Sequence, residues 1–186
     1  MDPQKTLSQA FEIIKLKEPA MQTVAKDANA LQPALIIIVL GSIIGGLGSY
    51  FFPSSLGMVT YQPDIGGLVI SMLTAALLSI FGLFLTGFLA ERVFHSKLNT
   101  QGYVKVMGYA NILSFLAIYP YLAIVSGIWT FVVFCYVLSK VGKLGAGSII
   151  LLILLLALIF FVVGSIVTAV MGGAGLGSVY GGISDY

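Results

Sequence analysis

The sequence predicts an all-α integral membrane protein: a bundle of five transmembrane helices preceded by one or two short amphipathic surface helices. Composition is the first observation behind this. Of 186 residues, 59% are hydrophobic and only 9% charged, and the mean hydropathy is +1.06. A soluble domain carries about 25% charged residues, so these charges cannot cover a water-facing surface and much of the exterior must meet lipid. The second observation is a series of apolar runs, of which the first two are uncharged and each long enough to cross about 30 Å of hydrocarbon at 1.5 Å per residue. The third is that every positive residue falls on one side of the resulting layout.

The elements follow in order. The polar segment 1–32 reads as a cytoplasmic amphipathic region. Leu7, Ala10, Phe11 and Ile14 recur at i, i+3, i+4 and i+7, with Ser8, Glu12 and Lys15 opposite. Pro19 suits the first turn of a second helix, whose stripe is Met21, Val24, Ala25, Ala28 and Leu31. Such stripes fit helices lying in the membrane interface or packed on the spans. The segment holds Asp2, Glu12, Glu18 and Asp27 and no apolar core of the signal-peptide kind, so insertion is expected to rely on the first span.

The membrane domain is expected over 33–171, with spans at about 33–52, 66–90, 103–119, 121–141 and 148–171. A loop with Pro53, Gly57 and Pro63 follows the first span, and Glu91 and Arg92 close the second. Tyr103 to Val141 as one helix would measure on the order of 58 Å, too long for one crossing. Pro120, between Tyr119 and Tyr121, provides the break. A glycine-rich tail, 172–186, is expected on the extracytoplasmic side.

Charge sets the orientation. Lys5, Lys15, Lys17 and Lys26 precede the first span; Arg92, Lys97 and Lys105 surround the second loop; Lys140 and Lys143 adjoin the fourth span. With five spans all nine lie on one side, and the other side holds Asp64 and Asp185. The expectation is an N-terminus in the cytoplasm and a C-terminus outside, in the cytoplasmic membrane of a prokaryote.

Several chemistries lack their residues. One histidine, His95, in a polar loop, rules out a two-histidine zinc site, and the lone Cys135 sits in an apolar run as a small filler. No Gly-x-Ser-x-Gly elbow supplies a nucleophile. The clusters GKLGAGS from Gly142 and GGAGLGS from Gly172 lack the phosphate-loop spacing. Neither an enzyme nor a cofactor is therefore expected. Nine basic residues spread over short loops do not make the dense stripe that nucleic acid requires. The partners expected are membrane lipid and a protein partner or second copy within the membrane. A small channel or transporter is the rival reading, but ionisable residues lie near span ends rather than at mid-membrane. Asn111 is the most polar residue inside a span, and an isolated asparagine serves more often as interhelical glue than as a substrate ligand.

Close helix packing is the stronger signal. Gly41, Gly45 and Ser49 recur every fourth residue, with Ser42 and Gly46 beside them. Ser71, Ala75 and Ser79 repeat the spacing, then Gly82, Thr86 and Ala90, and in the fifth span Gly164, Thr168 and Gly172. Small residues at this spacing let backbones approach and gain dispersion contacts that lipid cannot match.

Three stretches carry a family resemblance. KLKEPAMQTVAKDANALQPALIII looks like a proline-led surface helix running into a first span. QGYVKVMGYANIL places Gly108, Tyr109 and Ala110 in a Gly-Tyr-Ala run, and SGIWTFVVFCYVLSKVGKLGAGSIILLIL joins a tryptophan-bearing span to the last span through a short basic loop. Together they resemble the Yip family, the Ypt/Rab-interacting membrane proteins, in its short prokaryotic form. The resemblance implies five spans, a cytoplasmic N-terminus and a non-enzymatic role that organises or regulates other membrane components, as scaffold or accessory subunit. Eukaryotic members are linked to Rab GTPases and vesicle traffic through a long N-terminal region. This chain has about 32 residues there and no Asp-Leu-Tyr-Gly-Pro-type motif.

Overall fold

A computed structural model describes residues 2–51 and 65–179, without the side chains of Ser49, Pro120 and residues 166–179. The loop expected after the first span lies almost wholly outside the described residues, as does the end of the tail. The chain divides into two compact units, Met1–Ile149 and Ile150–Tyr186.

Two short helices open the first unit. α1 (Pro3–Ile14) begins at Asp2, whose carboxylate accepts from the main-chain N–H groups of Gln4 and Lys5, a standard N-cap. It ends with Leu16 in the left-handed region at φ 61°. There the Leu16 N–H bonds to the Ile13 carbonyl and the Lys17 N–H to the Glu12 carbonyl, the pairing of a Schellman stop. α2 (Glu18–Lys26) carries Pro19 in its first turn, where a missing N–H costs nothing. In α2 Met21 and Val24 are buried as expected, but of the stripe expected in α1 only Ala10 is: Leu7 and Phe11 are exposed and Ile14 is half-buried, because the helix packs through the adjoining face of Thr6, Ala10 and Ile13.

α3 (Leu31–Phe51) and α4 (Ile65–Arg92) follow, close to the expected first and second spans. The third expected span differs. Residues 103–119 are not one α-helix: α5 (Thr100–Ala110) gives way to a 3-10 helix over Asn111–Ile118. Pro120 explains the end of this segment. It has no N–H to bond to the Leu116 carbonyl, which accepts instead from Tyr119 at 3.3 Å, an i to i+3 bond. Tyr119, preceding proline, is extended at φ −104° and ψ 124°. The Ser114 hydroxyl donates to the Asn111 carbonyl three residues back at 2.6 Å.

α6 (Pro120–Tyr136) starts with its proline in the first turn and ends in a π-helical turn, Val137–Val141. α7 (Ala146–Val179) runs on through the glycine-rich stretch. The tail expected from residue 172 is therefore helical up to Val179; the apolar context keeps the backbone bonded internally despite its glycines.

Four helices are long and apolar enough to cross a membrane: Ala28–Gly48, Ile65–Arg92, Tyr121–Val141 and Ala146–Ser165. The expected count of five is not reached among the described residues by that criterion.

Candidate functional site

The centre of the first unit is α5. Every residue from Gly102 to Ala110 is buried, with α1, α2, α3 and α4 packed around it. Gly108 sits against Ala34 of α3, so closely that a Cβ there would lie 2.6 Å from the alanine Cβ. Beyond it the 3-10 segment continues along α3. Gly41 faces Asn111 and Ser114, and Gly48 faces the Ala117 and Ile118 backbone. On α3 the contacts recur every seventh residue (Ala34, Gly41, Gly48); on its neighbour they recur about every third (Gly108, Asn111, Ser114, Ala117). The rises match: Ala34 to Gly48 spans about 21 Å at the α-helical rise, and Gly108 to Ile118 about 19 Å once the 3-10 rise of about 2.0 Å is used.

This places the residues singled out from the sequence. Gly41 lies in the tight contact, and Gly46 faces Met72 of α4. At Gly45, by contrast, a Cβ would meet nothing within 4 Å, so the close approach follows the seven-residue repeat and not the four-residue one. The side chains of Ser49 and Thr168 lie outside the described residues. Ser71 and Ala75 are exposed; the Ser71 hydroxyl donates to the Leu68 carbonyl at 2.7 Å. The Gly82 carbonyl accepts from Thr86 Oγ1 at 2.7 Å. At Gly164 a Cβ would meet no heavy atom within 4 Å. Asn111 caps α5: its main-chain N–H bonds back to carbonyls of that helix, and its side-chain amide lies beside Gly41. No hydrogen bond of that amide to another helix is present among the described residues. Ala34 and Gly48 take part in the packing without having stood out, because a seven-residue repeat of small residues is hidden within a helix rich in them; Gly108 stood out only through the Gly-Tyr-Ala run.

At the polar end of this unit, short bonds lock three elements together. Glu91, near the end of α4, accepts from the Thr100 N–H at 2.7 Å and its hydroxyl at 2.6 Å. Asn99 caps α5 through its side-chain oxygen, 2.8 Å from the Gly102 N–H. The loop between α4 and α5 docks on the end of α6, where the Lys97 N–H and the Ser96 hydroxyl both donate to the Gly142 carbonyl, at 2.9 Å and 3.2 Å. Lys143 reaches Glu18 of α2 at 3.4 Å. Two cavities open here. One, of about 320 Å³, mixes Asp2, Lys5, Asp27 and Tyr109. The other, of about 690 Å³, is lined by Lys26, Lys97 and Lys105 with Gln22, Asn99 and Gln101 and no carboxylate. These lysines enter the sequence reading only as orientation markers; their convergence depends on loop docking. Among the described residues no three His, Cys, Asp or Glu side chains group to hold a metal.

Four helices long and apolar enough to cross a membrane define a polytopic helical membrane protein. Its family is given by comparison: the model of the Yip1 domain matches residues 14–168, and the chain belongs to the Yip1 family. No curated protein and no solved structure is detectably similar to it.

Proposed function

We propose that the chain is a five-crossing, non-enzymatic membrane protein that organises or regulates other membrane components, as a scaffold or accessory subunit. Its N-terminus is cytoplasmic and its C-terminus extracytoplasmic, in the cytoplasmic membrane of a prokaryote. The fifth crossing is the α5 and 3-10 segment. Together they extend about 32 Å, roughly 4 Å more than 19 α-helical residues, and enough for the hydrocarbon core. The Lys97–Gly142 bond supports this reading, because it holds the end of α6 beside the end of α4. The start of α6 follows Ile118, which meets Gly48 near the far end of α3. A segment running between these two ends is what a fifth crossing needs, and five crossings put all nine positive residues on one side. Alkaline phosphatase fused after Tyr186 is expected to be active in a bacterial host and inactive after Lys97; the reverse at Tyr186 sinks the five-crossing count.

The observation carrying the scaffold reading is the unbroken burial of Gly102 to Ala110. The two cavities described above are lined by residues at the polar end. Meanwhile Leu73 and Leu77 of α4 are 61% and 68% exposed, an apolar face open to lipid or a partner helix. A photocrosslinker at either position is expected to give a discrete protein adduct in membranes. Lipid adducts alone, together with a solute flux in liposomes that Asn111→Ala alters, would overturn the reading in favour of a channel or transporter.

A further inference from the structure

The 690 Å³ cavity has a chemistry that its place in the packing does not require. Three lysines converge on it from three elements: Lys26 at the end of α2, Lys97 in the docked loop, and Lys105 in α5. Lys105 is only 6% exposed. Carboxylates on the surrounding elements are engaged elsewhere. Glu91 holds Thr100, Glu18 accepts from Gln22 and Lys143, and Asp27 accepts from the Asn29 N–H and lines the other cavity. Among the described residues, none of the three lysines makes an ion pair. Like charges gathered without a counter-ion repel. An anion in the cavity offsets this.

We propose that this cavity binds a phosphate-bearing anion, presented by the headgroup of an anionic membrane lipid. Lysines bind phosphate as point charges. α5 adds its own positive end, since Asn99 and Gln101 bring the N-terminus of that helix to the cavity wall. Gln22, Asn99 and Gln101 offer neutral donors for headgroup oxygens. Position points to a lipid as the source. The cavity lies where the apolar helices end: its wall includes Ala28, the first residue of one such helix, and Val141, the last of another. A basic cavity at that level suits the interface, where basic residues meet anionic headgroups. The site does not depend on the scaffold reading, because it is tested on the purified chain without a partner.

The test uses the full chain in a mild maltoside detergent, titrated with dioctanoyl phosphatidic acid, dioctanoyl phosphatidylcholine and inorganic phosphate, with binding read by native mass spectrometry. Lys26→Gln and Lys97→Gln alter exposed side chains; Lys15→Gln, exposed and outside the cavity, is the control. Phosphatidic acid is expected to bind saturably, and phosphatidylcholine not to. Each cavity variant should weaken binding about fivefold, while Lys15→Gln leaves it unchanged. Three outcomes overturn the proposal: no saturable binding of phosphatidic acid; equal weakening by Lys15→Gln, which makes the attraction diffuse; or inorganic phosphate binding as tightly, which makes the site one for a free anion.

Discussion

Gly48 and Ile118 meet backbone to backbone: a Cβ on Gly48 would stand 2.6 Å from the Ile118 Cα and 2.7 Å from its carbonyl oxygen. Neither atom belongs to a flexible side chain, so the contact has no easy means of relaxing. It fixes α3 against the end of the 3-10 segment.

Gly48→Ala is therefore expected to lower the melting temperature of the protein in detergent, by an amount corresponding to about 1–3 kcal/mol of overpacking. Gly45→Ala, three residues away, should change it little, since nothing lies within 4 Å of a Cβ there. Equal effects at the two positions would mean that the seven-residue repeat does not set the packing.

Gly142 poses a second constraint of the same kind. A Cβ there would lie 2.7 Å from both the Leu138 carbonyl and the Ser96 hydroxyl. Gly142→Ala should displace the docked loop and destabilise by about 1–3 kcal/mol. Ser96→Ala instead loses the bonds to the Gly142 carbonyl and from the Leu98 N–H, and about 1 kcal/mol. Thermal denaturation of the two variants beside wild type checks the order; Ser96→Ala proving the more damaging would contradict it.

Trp129 joins α6 to α1 through a 2.9 Å bond from its indole N–H to the Ile14 carbonyl. Trp129→Phe keeps most of the ring and removes the donor, at a cost of about 0.5–1.5 kcal/mol. Looser docking of α1 should speed tryptic cleavage after Lys15 or Lys17 by roughly twofold to tenfold, given that 1.4 kcal/mol is a factor of ten. An unchanged cleavage rate would show that the bond does not hold α1 in place.

Glu12 supplies a pH dependence. Lys17 donates a hydrogen bond to its carboxylate and holds it below the usual carboxylate value, with the charges of Lys17 and Lys15 adding to the effect. A carboxylate whose folded value is depressed stabilises fully above its unfolded value, about 4.3 for glutamate, and loses this as pH falls through the folded one. Any advantage of wild type over Glu12→Gln should thus be present at neutral pH, vanish in acid, and shrink with added salt because the pair is exposed. Melting curves across that range test the sign; an advantage that grows in acid would refute it.

The α-helical class, the two amphipathic helices and the positions of four long apolar helices were legible in residue order alone. Each rests on a property that a short window of sequence carries. Apolar length answers to bilayer thickness, the stripes through Met21 and Val24 answer to the helical period, and Pro120 ends a segment wherever it sits. The tertiary structure decided which small residues touch, where the backbone changes its rise, and which charges converge. Gly41 packs tightly and Gly45 does not because the partner strand of chain is a 3-10 helix, whose rise and three-residue turn select a seven-residue repeat on α3. Lys26, Lys97 and Lys105 are far apart in sequence and share one wall only because Gly142 accepts the loop that carries Lys97. Local order sets what a segment can be; the neighbour's geometry sets which of its faces is used.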